Sequence, residues 1–419
     1  MGNGNLTAAK RAKNDEFYTR LADIENELRH YAGHFEGKVV LCNCDDPYES
    51  KFFEYFALNF NHLGLKGLVA TCYSGSPVAG REYQPSLFDD DANADTGRHR
   101  KAYKAVVTSV RDMTGDGGID MLDVKELLES GEAELTELHG DGTYGAGDFR
   151  SKECLELLDE ADIVVTNPPF SLFREYVATL MEHDRKFVVV GNKNAVTYKE
   201  IFPLLRDGRM WLGFNTVKEF FVPDPLSNRG NVATDEEGRP VARFGNICWY
   251  TNLDIEKRHE NLPLFRQYQG HEADYPKYDN YDAIEVSKVA DIPMDYDGVM
   301  GVPITFMDKY NPDQFDIVSF RKGHDGRDLV FTRERERERR YNRTFGFSSG
   351  DVAGGTVEQS EGHHGRRQAP VCAHPDTPQI EPVDRDYPNM TRRAPGLMNG
   401  TIQGRETYRR ILIRRKSNR

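Results

Sequence analysis

Apolar residues recur along this chain with two different periods, and the periods alternate in blocks. Helical spacing starts at Leu21, Ile24, Leu28 and Tyr31, with Gly33 expected to cap the end. Lys38-Val-Val-Leu-Cys-Asn-Cys44 reads as a buried strand. Past an Asp45-Asp46-Pro47 turn, Phe52, Phe53, Phe56, Phe60 and Leu63 return to helical spacing. Residues 67–73 form a second buried strand, 103–110 alternate as a third, and 121–128 look helical. A helix carrying Cys154, Leu157 and Leu158 leads into Asp162-Ile-Val-Val-Thr166, which stops abruptly at Asn167-Pro-Pro-Phe170. Leu172, Phe173, Tyr176, Val177, Leu180 and Met181 then mark a helix, and residues 186–191 another strand. Strands alternating with helices predict an α/β fold with a doubly wound, mostly parallel sheet. Residues 210–213, 217–222 and 246–252 supply further strands, expected at an antiparallel edge.

The break at residue 167 changes the picture most. Two prolines lack N–H groups and cannot continue a central strand, so the chain must leave the sheet there. That places Asn167, Pro168, Pro169 and Phe170 at the carboxyl end of a buried strand, where open α/β sheets bind ligands. The Asn167 side-chain oxygen and the Pro168 carbonyl are two acceptors for the hydrogens of a planar exocyclic amine. Held rigid by proline, they would localise its lone pair with little reorganisation. Phe170 offers a flat face for an unstacked base. Nothing in the tetrapeptide titrates near neutrality, so Asn167 is expected to position and polarise rather than act as a base.

Three other stretches accompany this one in a fixed order: Asn14-Asp-Glu-Phe-Tyr-Thr19, Gly147-Asp-Phe-Arg-Ser151 and Gly191-Asn-Lys-Asn-Ala195. Together with Asn-Pro-Pro-Phe they resemble the EcoRI-type adenine-specific DNA methyltransferases, over roughly residues 10–320 and again at the C-terminal tail. The resemblance implies methyl transfer from S-adenosylmethionine to N6 of adenine in a defined site of duplex DNA, on a sheet of the S-adenosylmethionine-dependent methyltransferase type. It implies that Asn14, Glu16, Phe17, Tyr18 and Thr19 close over the methionine end of the donor. It also implies that Asp148 accepts from the donor's adenine amine while Phe149 stacks on that ring. Asp45 is the candidate for the donor's amino or ribose groups, in a turn where most such enzymes have glycines. Asn192, Lys193 and Asn194 either bound the target-base pocket or make a polar turn. Three helix-capping readings stay open from the residues alone: Asn14 or Asp15 for the first helix, Asp45 for the second, and Asp148 for the helix at Cys154.

The same tetrapeptide also serves enzymes that methylate guanine N2 of ribosomal RNA or a protein glutamine. Those usually carry the glycine-rich turn this chain lacks. A non-catalytic DNA-binding relative is the rival of a different class.

The implied organisation is a flexible arm at 1–13 and a catalytic domain at 14–258. A DNA-contacting region at 259–320, a low-complexity or inserted segment at 321–396 and a basic tail at 397–419 returning to the core complete it. A net charge of −13 argues at first against a nucleic-acid partner, but its distribution is uneven. Residues 321–419 hold 21 Lys and Arg against 13 Asp and Glu, leaving −21 for 1–320, and phosphate binding depends on local charge. The six cysteines show no paired spacing and read as reduced thiols. No apolar run reaches the ~18 residues of a membrane-spanning helix, and the first residues show no signal region. A cytoplasmic monomer without a metal is expected, with a cognate restriction endonuclease as a conceivable partner. The Asp89-Asp-Asp91 run, the alternating run at 333–340 and the group His363, His364, Cys372 and His374 read as solvated rather than ligating.

Overall fold

The computed structural model describes residues 18–48, 50–73, 102–222, 232–235, 238–279, 282–320, 401–403 and 405–416. The expectations for Asn14, Glu16 and Phe17, the arm at 1–13, the loop at 74–101 and the segment at 321–396 lie outside the described residues. Two compact units divide the chain, Met1–Arg258 and His259–Arg419.

The first half of unit one contains β1 (Tyr18–Thr19), α1 (Leu21–Leu28), β2 (Val39–Cys42), α2 (Lys51–Leu58), β3 (Gly67–Thr71), β4 (Tyr103–Val107), α3 (Met121–Glu129) and β5 (Glu134–Glu137). Its second half contains α4 (Lys152–Glu160), β6 (Ile163–Thr166), α5 (Phe173–Glu182), β7 (Lys186–Asn192), α6 (Phe202–Arg206), β8 (Trp211–Phe221), β9 (Val232–Thr234) and β10 (Pro240–Thr251). One ten-stranded mixed sheet runs β1-β8-β10-β7-β6-β2-β3-β4-β5, with β9 beside β10. Its centre, β3-β2-β6-β7, is parallel, and both margins are antiparallel. The margin at β8 and β10 was expected; the one at β4 and β5 was not. Burial explains it. β3 is buried along its whole length, as a parallel strand covered on both faces must be. β4 alternates buried and half-buried positions and has one wetter face, which an antiparallel edge tolerates.

Alternation along the central strands sends side chains to two layers. Val40 and Cys42 of β2, Ile163 and Val165 of β6, and Val188 and Val190 of β7 join one core with Ile24 and Leu28 of α1, Phe52, Phe53 and Phe56 of α2, and Leu127 of α3. The buried residues of α4 and α5, among them Leu158, Phe173 and Val177, are not part of it. Each large side chain removed from water contributes about 1.5–3 kcal/mol, so α2, which buries Phe52, Phe53 and Phe56 together, is a principal fastener.

Helix ends differ from the expectation in instructive ways. α1 stops at Leu28 and continues through a tighter 3-10 turn at Arg29–Tyr31 into a last α-helical turn at Ala32–Phe35, with Tyr31 and Phe35 both buried. Gly33 therefore sits inside that helical turn, and the left-handed residue that ends the segment is Gly37, with φ +70°. The cap position of α1 is Arg20, whose side chain makes no capping bond; Asn14 and Asp15 lie outside the described residues.

Unit two contains β11 (Ala283–Glu285), β12 (Val299–Val302), β13 (Phe315–Phe320), a small hairpin of β14 (Thr401–Ile402) and β15 (Arg405–Glu406), and β16 (Ile411–Arg415), with short 3-10 turns between β11 and β12 and between β12 and β13. The order of the main sheet here is β11-β12-β16-β13. The basic ending thus joins this small sheet, between β12 and β13, and is no part of the large one. Among the described residues no helix is long and apolar enough to cross a membrane.

Candidate active site

From β2 the chain moves to β3 on one side, and from β6 to β7 on the other. Strand order therefore reverses between β2 and β6, and the crevice outside their carboxyl ends is where such sheets bind ligands. A cavity of about 290 Å³ lies there. Its lining comes from the turn after β2 (Asn43, Cys44, Asp45, Asp46), the end of β3 (Cys72, Tyr73) and the turn after β6 (Asn167, Pro168, Pro169). The 147–150 segment, Tyr18 and Thr19 of β1, the start of α2, and Ser171 and Leu172 also line it.

Asp45 is the junction of this floor. It is 4% exposed. One carboxylate oxygen accepts from Ser50 Oγ at 2.8 Å, the other from Thr166 Oγ1, and its backbone N–H donates to Thr71 O at 3.1 Å. Burial raises its carboxyl to about 6, with Asp46 adding to the effect and the two hydroxyls opposing it. The cap of α2 is Ser50, whose hydroxyl oxygen accepts from the N–H groups of Phe52 and Phe53, so the capping reading of Asp45 does not hold. Asp46 accepts from Tyr103 Oη at 2.9 Å and from the Tyr48 N–H at 3.0 Å. Burial, aided by the Asp46 charge, pushes the Cys72 thiol up to about 12, so it is no nucleophile. On the other side of the turn, Asn43 accepts from the Tyr176 hydroxyl of α5.

The 147–150 segment is pinned to β3 by a close approach. Gly147 has φ +74°, and a Cβ there would lie 1.9 Å from the Cys72 carbonyl oxygen. Asp148 meets Arg150 in a two-pronged pair, Nε to Oδ1 at 2.9 Å and Nη2 to Oδ2 at 2.8 Å. Arg150 also reaches Glu175 at 3.1 Å and stacks 4.5 Å from the Tyr144 ring centre. Oδ1 also accepts from the Arg150 backbone N–H at 3.0 Å, so the remaining acceptor capacity of Asp148 lies on Oδ2. Phe149 is buried, edge-on to Tyr176 with centroids 4.9 Å apart. Ser151 caps α4, accepting from the Cys154 N–H at 3.4 Å, so Asp148 is not that cap.

At the tetrapeptide β6 ends with Thr166, a 3-10 turn spans Phe170–Leu172, and α5 follows. Asn167, Pro168 and Pro169 face the cavity; Phe170 is not in its lining but is half-buried, edge-on to Phe220 at 6.1 Å. Asn192, Lys193 and Asn194 do not line it either. The Asn192 oxygen caps the turn Lys193–Thr197, accepting from Asn194 N at 2.8 Å and from Asn246 Nδ2 at 3.0 Å. Thr19, 2% exposed, lies at the cavity wall, and its buried hydroxyl has no hydrogen-bond partner among the described residues. Asn43, Asp46, Cys72, Tyr73 and Arg150 belong to the lining without having been singled out. Their signal was positional, since four of them lie within a few residues of the ends of β2 and β3.

The profile of the family described as adenine-specific methyltransferase EcoRI matches residues 5–416. The chain belongs to this family. Type II methyltransferase M.EcoRI of Escherichia coli is 46% identical over 328 residues, which cover 77% of this chain and 91% of that one. Type II methyltransferase M.MpnI of Mycoplasma pneumoniae is 37% identical over 318 residues, 74% of this chain and 83% of its own. A third relative, M.MgeORF184P of Mycoplasma genitalium, is 36% identical over 316 residues, 74% of this chain and 84% of its own. No solved structure matches the chain. As an EcoRI-family member the chain is an adenine-specific DNA methyltransferase, and its Asn-Pro-Pro-Phe turn lies where the sheet opens.

Proposed function

We propose that the cavity holds S-adenosylmethionine and that the enzyme methylates N6 of an adenine extruded from duplex DNA at a specific site. One observation carries this reading: Asn167, Asp45 and Asp148 line a single cavity at the strand-order reversal. The lining suits a cationic adenosyl compound. Among the described residues the Asp45 carboxylate meets two hydroxyls and no cation, Thr19 brings a buried hydroxyl, and Phe149 and Tyr73 bring rings. When bound, S-adenosylmethionine supplies an electrophilic methyl group on a sulfonium.

The protein's own part is to bind, orient and polarise. Asp148, with Phe149 beside it, takes the adenine end of the donor, while Asp45 takes an amino or hydroxyl group. Tyr18 and Thr19, with Asn14, Glu16 and Phe17 before them, cover the methionine end. Asn167 and the Pro168 carbonyl accept the two hydrogens of the target amine and direct its lone pair toward the cavity. Phe170, beside the cavity rather than in it, offers the stacking face for the extruded base. Holding the two reactants at attack distance is worth up to about 7–11 kcal/mol of the barrier. The proton leaves to solvent after transfer.

Asn167→Ala is expected to abolish turnover while donor binding stays within about threefold of wild type, since the lost acceptor serves the amine and not the donor. The measurement is transfer of labelled methyl groups to duplex DNA followed by nucleoside analysis. A variant retaining more than about a tenth of the wild-type rate contradicts the role given to Asn167.

A further inference from the structure

We propose that Thr166, the residue before Asn167, is a positioning residue whose hydroxyl ties the amine-binding strand end to Asp45 in the turn after β2. The inference rests on the functional reading above and names what holds the two halves of that site in register.

Strand pairing makes the need visible. The ladder between β2 and β6 ends at Leu41 and Val164, two residues short of Thr166. The cavity lies beyond the carboxyl ends of both strands, lined by the turns that follow them from Asn43 and Asn167. Asn167 therefore projects from a strand end that has lost its β2 neighbour, although β7 still pairs with it through Thr166 and Val189. The Thr166 hydroxyl bonds Asp45, joining the end of β6 to the turn after β2. Asp45 in turn is fixed to α2 through Ser50 and to β3 through the Thr71 carbonyl. Thr166 is completely buried at the end of the run Ile-Val-Val-Thr, where valine would fill the same volume. A buried hydroxyl is unfavourable unless bonded, so packing alone gives no reason for threonine here. Displacements well under 1 Å at a reacting group are enough to slow a reaction.

The test compares Thr166→Val with Thr166→Ser. Val keeps the volume and loses the hydroxyl; Ser keeps the hydroxyl. Val is expected to lower kcat about tenfold or more with KM for duplex DNA within about threefold, and Ser to stay within about threefold of wild type in both. A second readout needs no ligand. With carboxyl-labelled aspartate, the Asp45 titration should move to higher pH in Thr166→Val and return in Thr166→Ser, because a bond to the charged form is removed and restored. If Val does not melt cooperatively, Thr166→Ala against Ser makes the same comparison. An unmoved titration, a Val variant within about twofold of wild-type kcat, or a Ser variant as slow as Val would each overturn the proposal. Wild-type protein that makes no N6-methyladenine would instead sink the functional reading, with the titration still reporting the bond.

Discussion

Asp45 sets two requirements against each other at a single residue. A carboxyl surrounded by protein is costly to ionise, and although two hydroxyls ease the cost, burial raises its pKa from 3.8 to about 6. A folded-state value above the unfolded one means a stabilising contribution that is complete below the unfolded value and lost as pH rises through the folded one. The window is thus about pH 4 to 6, and at neutral pH the ionised group costs about 3 kcal/mol. Asp45→Asn should therefore melt several degrees higher than wild type at pH 8, with the advantage shrinking toward pH 5, while donor affinity falls. Thermal melts across that range check it, and an Asn variant no more stable at pH 8 would show that the buried charge is not the cost described. By the same sign, donor binding should weaken as pH falls through about 6 and Asp45 takes up a proton. Asp45 and Asn167 were legible as candidates because turn chemistry marks them. The Thr166 bond was not, since its partner lies 121 positions away.

The ends of elements, more than the elements themselves, build the site. Gly147 is the sharpest case, because its left-handed backbone and the nearby Cys72 carbonyl leave no room for a side chain. Gly147→Ala should destabilise unit one by at least about 1–3 kcal/mol and displace Asp148 and Phe149. Chemical denaturation and donor titration measure the two effects, and wild-type values in both would mean that the segment relaxes freely. Periodicity located α2, α3, α5 and the four parallel strands well, since their apolar faces repeat over several turns or pleats. Their boundaries were less legible. Gly33 looked like a cap, but Tyr31 and Phe35 draw the chain onward into the core. β4 and β5 form an unexpected antiparallel margin, because the direction of a strand is not written in its own residues.

At the scale of the whole molecule, the last strand completes a sheet begun more than a hundred residues earlier. β16 lies between β12 and β13 with Ile411 and Ile413 buried, and Arg410 bonds the buried Glu285 at 2.7 Å. Ending the chain before Ile411 should unfold unit two while Met1–Arg258 keeps its own melting transition. Limited proteolysis combined with calorimetry reads this directly, and resistance of the 259–320 region to cleavage after truncation would refute it. Local chemistry alone determined the alternation of strands and helices, the rigid turn at 167–170, and the family to which its ordered motifs point. These follow from side-chain period, proline geometry and residue type, all of which act over a few positions. Tertiary structure decided which strand ends face one another, that Thr166 reaches Asp45, that Phe170 stands beside the cavity, and where the tail is placed. Those are contacts between residues far apart in the chain, and only the closing of the sheet brings them within bonding distance.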